Sequence, residues 1–146
     1  MSYIDTSILV AYYCPERLSR AAQSAIRRAA KPTISTLSEV EFISALALKR
    51  RTGEINESSA RRILSLFKQH RADHIYRLIP IEAREFAVAR NWLETFRTSL
   101  RALDALHLAA AFTSRLILIT ADNGLAESAA LLGVEHKLLS SQSVPG

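Results

Sequence analysis

Leu116-Ile117-Leu118-Ile119-Thr120 runs straight into Ala121-Asp122-Asn123-Gly124. Four apolar residues in a row, two of them β-branched, read as a short strand buried on both faces. A strand of that kind belongs to a parallel sheet covered by helices. Asp122 then falls just past its carboxyl end, where ligands gather in open α/β sheets.

The same reading extends outward in both directions. Further strands are predicted at 2–4, 33–35, 75–79 and 134–138. Helices are predicted over 6–13, 17–30, 37–51, 81–96, 100–113 and 124–132. One more, capped by Asn56 or Ser58, runs to residue 70. Pro32, Gly53 and Gly133 supply stop signals. The order β-α-α-β-α-α-β-α-α-β-α-β predicts an α/β/α sandwich with a short, mostly parallel central sheet. With 146 residues and no repeat or linker, residues 1–146 are expected to form one domain. The tail from Ser140 is expected to be loose.

No run of about 18 apolar residues occurs, so no transmembrane helix is expected. No basic region leads into an apolar stretch at the start, so no secretory signal is expected. Cys14 is the single cysteine. It cannot form an internal disulfide and has no metal-ligand spacing, which points to a reducing cytoplasm. The net charge is +5, with a pI near 9.8. The excess is grouped: Arg17 to Lys31, Lys49-Arg50-Arg51, and Arg61 to Arg77. Basic helices beside an acidic pocket suit a polyanion such as nucleic acid, although a solvated basic surface gives the same composition.

The chain has four Asp. Asp5, Asp104 and Asp122 each sit among apolar residues near the start or end of a predicted element; Asp73 lies in a charged run and reads as surface. Buried carboxylates need compensation, and several together suggest a divalent cation, since hard cations take oxygen ligands. Asp5 also reads as a helix cap, and Asp122-Asn123-Gly124 as turn and cap chemistry. Asp104 and His107 are the only polar residues from 102 to 112, so this helix is expected to be buried. Its alternative is an Asp104–His107 pair at i, i+3. Thr36-x-x-Glu39 fits a capping box, which gives Glu39 a structural task. Ser38-x-x-Glu41 fits the same pattern but would start the helix two residues late. Glu41 lies on a nearly opposite helix face, with Leu37, Ser44, Ala45 and Leu48; the stretch from Val40 to Leu48 is apolar almost all round, so periodicity alone does not settle the choice, and Glu41 is the preferred site acid. No Gly-x-Gly-x-x-Gly, P-loop, Gly-x-Ser-x-Gly or Cys/His cluster occurs. Metal-assisted hydrolysis is the reaction class that remains.

In that order, four motifs resemble the PIN-domain ribonucleases, and among them the VapC-type toxins of toxin–antitoxin pairs. They are Tyr3-Ile4-Asp5-Thr6-Ser7, Ser35 to Glu41, Leu103-Asp104-Ala105-Leu106-His107-Leu108-Ala109, and Thr120-Ala121-Asp122. Asn123 stands where basic residues are also common. The resemblance implies a PIN-like fold and an endoribonuclease dependent on Mg²⁺ or Mn²⁺. It implies Asp5, Glu41, Asp104 and Asp122 as its catalytic and metal-binding residues, with Glu41 either a ligand or the group that orients the attacking water. It further implies an RNA substrate, a homodimer and a cognate antitoxin. Two alternatives stay open from the residues: a basic RNA-binding regulator whose acid cluster is structural, and a DNA- or structure-specific nuclease of the same fold.

Overall fold

In the computed structural model, residues 1–141 are described. Among these residues five strands form the sheet: β1 (Ser2–Ile4), β2 (Pro32–Ser35), β3 (Arg77–Ile79), β4 (Ile117–Thr120) and β5 (His136–Leu138). Their order across the sheet is β3-β2-β1-β4-β5. Each neighbouring pair is parallel, so the sheet is wholly rather than mostly parallel. Tyr3 pairs with Thr33 on one side and Leu118 on the other.

The helices are α1 (Thr6–Tyr13), α2 (Ser19–Arg28), α3 (Thr36–Arg51), α4 (Glu57–Ala72), α5 (Ala83–Leu93), α6 (Ala102–Thr113) and α7 (Asn123–Leu131). Successive strand residues point to opposite faces, and the core divides accordingly. Ile4, Ile34 and Ile119 pack with Ile8, Leu9, Phe42 and Phe67 from α1, α3 and α4. Tyr3 and Leu118 pack with Leu108, Ala111, Leu125 and Ala129 from α6 and α7. This makes an α/β/α sandwich. In α6, every residue from Ala105 to Ala111 is buried, as its apolar circumference requires. Among the described residues, no helix is long and apolar enough to cross a membrane.

Several boundaries differ from the sequence reading. The strand expected at 75–79 begins only at Arg77. The chain leaves α4 through His74 at φ 58°, and the Ile75 N–H is still bonded to the His70 carbonyl. The helix expected over 81–96 stops at Leu93, and Phe96 turns the chain at φ 56°. Most of the tail expected to be loose from Ser140 falls on residues 142–146, outside the described residues.

Strand order places β1 at the topological switch. From β1 the chain crosses to β2 on one side, and β4 later pairs on the other. The crevice at the carboxyl ends of β1 and β4 is where such a sheet offers a site. Asp5 and Asp122 stand at those two ends.

Candidate active site

Asp5 directly follows β1 and is nearly buried, with 5% exposure. It occupies the N-cap position of α1, yet its side chain makes no capping bond. Its Oδ2 instead accepts from Ser7 Oγ at 2.7 Å and from Thr120 Oγ1 at 2.8 Å. The capping task expected of this acid is therefore not performed. The same Thr120 hydroxyl accepts from the Asp122 N–H at 3.0 Å, and Ser7 Oγ accepts from the Ala121 N–H at 3.0 Å. These bonds tie the end of β1 to the turn after β4.

Asp122 does cap its helix. Its Oδ1 accepts from the N–H groups of Gly124 and Leu125 at 2.8 and 3.2 Å. The turn-and-cap reading of Asp-Asn-Gly is thus correct, and it uses one carboxylate oxygen.

Glu41 sits in the second turn of α3. Its Oε1 accepts from Thr6 Oγ1 at 2.8 Å and from His107 Nε2 in a short bond. Burial alone would raise this carboxyl. The His107 bond and charge, with the Thr6 hydroxyl, outweigh burial and hold it below the usual carboxylate range. The Asp104–His107 alternative is therefore overturned. Among the described residues, His107 forms its ion pair with Glu41, not with its i−3 neighbour.

The capping box assigned to Thr36 and Glu39 is also corrected. No loop separates β2 from α3, so Ser35 itself is the N-cap. Its box partner is Ser38, and the Ser35 N–H donates to Ser38 Oγ at 3.0 Å. Glu39 is left on the outer face, where it pairs with Arg71 of α4. The separation of Glu39 from Glu41 survives, but for a different structural reason.

Asp104 lies in the first turn of α6, half-buried. Its carboxyl is raised by burial first, then by the charges of Asp122 and Asp5, with a smaller push from Glu41; His107 acts the other way. The four acids therefore share one field. Among the described residues, no three His, Cys, Asp or Glu side chains already stand as a metal cage.

One pattern runs through the site. Asp5, Glu41 and Asp122 each have one oxygen anchored by two donors, and the other makes no hydrogen bond among the described residues. No buried polar side-chain atom among those residues lacks a partner, so these second oxygens remain within reach of solvent. Three half-anchored carboxylates and one destabilised by its neighbours make an oxygen-donor set that fits a hard divalent cation.

Sequence reasoning missed the support behind Glu41. Tyr3 OH is 2.6 Å from His107 Nδ1 and 2.8 Å from Ser35 Oγ. The available signal was Tyr3 in the first predicted strand, with Ser35 and Ser38 at the junction of the second strand and the next helix.

The basic surface is smaller than composition suggested. Lys49 pairs with Glu54, Arg61 with Glu57 and Arg71 with Glu39. Arg50 and Arg51 are exposed and form no ion pair among the described residues. Arg50 and Arg61 flank a groove of about 200 Å³ between α3 and α4. Arg51 lies ten residues beyond Glu41 on one helix, about 15 Å along its axis. On the nucleic-acid expectation drawn from the sequence, replacing Arg50 and Arg51 by Ala would weaken RNA binding and flatten its log–log salt slope by roughly 1 to 2 units. Metal affinity should not change, since exposed charges beyond about 8 Å are screened. Titrating RNA at several salt concentrations on a cleavage-dead background checks this; an unchanged slope removes the patch from the RNA path.

Comparison with known proteins adds family information to this geometry. Residues 2–131 match the family described as PIN domain. No curated protein sequence matches the chain. Among solved structures, FitAcB from Neisseria gonorrhoeae superposes with a TM-score of 0.74 at 17% identity, covering 99% of this chain and 100% of that one. VapC20 from Mycobacterium tuberculosis, a sarcin–ricin-loop-cleaving toxin, gives 0.69 at 15% identity, covering 88% and 95%. A toxin–antitoxin complex from Klebsiella pneumoniae gives 0.60 at 20% identity, covering 86% and 91%.

Proposed function

We propose that this chain, which belongs to the PIN-domain family, is a divalent-cation-dependent endoribonuclease and the toxin of a toxin–antitoxin pair. One observation carries the reading: Asp5, Glu41 and Asp122 each have one oxygen held by two donors and the other without a hydrogen bond among the described residues, and the Asp104 carboxyl beside them is raised by burial and by their charges. Four signatures far apart in sequence thus reach one electrostatic site at the switch point of the sheet.

In this reading, Asp5 Oδ1, Glu41 Oε2 and Asp122 Oδ2 are the oxygens offered to Mg²⁺ or Mn²⁺, and Asp104 completes the set. The chemistry supplied there by the bound ion is acidification of a water and neutralisation of charge on the scissile phosphate. Ser7 and Thr120 hold Asp5, the α7 N-terminus holds Asp122, and Thr6 and His107 hold Glu41. Each bond fixes the direction of the free oxygen before substrate arrives, which is how preorganised groups avoid reorientation during the reaction. Arg50 and Arg51 would bind the RNA backbone without taking part in chemistry.

The test is cleavage of a labelled RNA pool by purified, antitoxin-free protein. Activity is expected to vanish in excess chelator and return with Mg²⁺ or Mn²⁺. Full activity in chelator defeats the mechanism, and binding without cleavage favours a regulator. A preference for DNA would point to the other nuclease reading.

A cognate antitoxin and a homodimer belong to the same proposal. Support comes from the likeness to the Klebsiella pneumoniae complex and from apolar side chains left uncovered, Val40 at 67% and Phe96 at 91% exposure. Light scattering of the purified chain, alone and co-expressed with the protein of the adjacent reading frame, reads both.

A further inference from the structure

We infer that His107 is a positioning residue for Glu41, with Tyr3 fixing its ring, so that Glu41 presents only Oε2 to the reaction. This rests on the nuclease reading of the four acids and deepens it.

His107 is 1% exposed and lies among Ala105, Leu106, Leu108 and Ala109, all buried. An aliphatic side chain would satisfy those neighbours; an imidazole there adds desolvation that only its bonds repay. Its Nε2 meets Glu41 Oε1, and its Nδ1 meets Tyr3 OH at 2.6 Å. An ionised carboxylate can only accept, so Nε2 carries the proton. The partner of Nδ1 is the Tyr3 phenol, which burial keeps protonated. Tyr3 can in turn accept from Ser35 Oγ at 2.8 Å.

The hydrogen-bonded chain thus runs from Ser35 through Tyr3 and His107 to Glu41, across β2, β1, α6 and α3. Each link joins a different element, so the chain registers the helix that carries Glu41 against the helix that carries Asp104. Thr6 Oγ1 supplies the second donor on Glu41 Oε1 at 2.8 Å. With that oxygen doubly held, rotation of the carboxylate is blocked and Oε2 is the working atom.

The experiment uses the full chain with His107→Leu, His107→Gln and Tyr3→Phe. For His107→Leu we expect kcat to fall roughly 10–100-fold, the range for losing a group that orients a ligand, with KM nearly unchanged. Gln keeps an N–H in reach of Oε1, and His107→Gln should recover most of that loss. Tyr3→Phe should cost less than His107→Leu. Independently of activity, ¹⁵N spectra of the imidazole should show Nε2 protonated in the wild type. That signature should be perturbed in Glu41→Gln and Tyr3→Phe.

Three results would overturn the inference: wild-type kcat in a folded His107→Leu, no recovery in a folded His107→Gln, or an unprotonated Nε2 in the wild type. A wild type without metal-dependent cleavage but with Nε2 protonated sinks the nuclease reading and leaves the positioning of Glu41 standing.

Discussion

Asp104→Asn is expected to yield an inactive protein whose metal-free form melts at or above the wild-type temperature. The two effects come from one cause. Asp104 feels burial and then the charges of Asp122 and Asp5, so its ionised form is disfavoured in the fold. The folded state therefore binds this proton more tightly than the unfolded chain does. Stability then falls as pH rises from the ordinary Asp range, near 4, through the raised folded value. Above that raised folded value the wild type carries the cost in full, and Asn removes it without changing shape. Acidifying both metal-free proteins should make their melting temperatures converge, because the cost disappears once the carboxyl is protonated. Activity should fall by more than about 100-fold, beyond the range seen for a group that merely supports a metal ligand. The rise in melting temperature on adding Mn²⁺ should shrink as well, since that rise reports binding to the native state. A large melting loss with cleavage preserved would make Asp104 a structural residue instead.

How much of this could be read from the sequence depends on the range of the interaction involved. The strand around Leu118 was legible because a parallel strand buried on both faces must be apolar throughout. The positions of Asp5 and Asp122 followed, since an acid just past such a strand has one place to go. The order of the strands was not legible, because β1 lies between β2 and a strand, β4, whose residues pair with it from more than a hundred residues away in sequence. The partner of His107 was not legible for the same reason. The i, i+3 spacing pointed to Asp104, while the partner that binds it is Glu41, 66 residues away. The cap of α3 was misplaced by one residue because periodicity does not show that β2 enters the helix without a loop. Within α3 the stretch from Val40 to Leu48 reads as apolar almost all round, yet Val40, Ile43 and Leu48 are exposed. A stretch with the composition of a buried helix can equally be a surface that meets another chain.

The two glutamates of α3 should separate cleanly, and their stabilities should differ in sign from that of Asp104→Asn. Glu41→Gln is expected to abolish cleavage. It should also lower the melting temperature of the metal-free protein. Glu41 lies below the usual carboxylate range despite its burial, because His107 and Thr6 favour the charged form. For a group shifted that way, the stabilisation is present above the unfolded pKa and is lost as pH falls through the folded one. Gln forfeits it at neutral pH, and the difference from wild type should narrow on acidification. Glu39→Gln should leave cleavage unchanged. It removes the pair with Arg71, whose side chains are 31% and 27% exposed; pairs near the surface contribute about 0.2–1 kcal/mol. Loss of activity therefore accompanies a higher melting temperature in one variant and a lower one in another, while the third loses stability alone. General unfolding cannot produce that pattern, because it would tie activity to melting in every variant. An active Glu41→Gln beside an inactive Glu39→Gln would move the site to the outer face of α3. The bond from His107 to Glu41 would then be only a structural link.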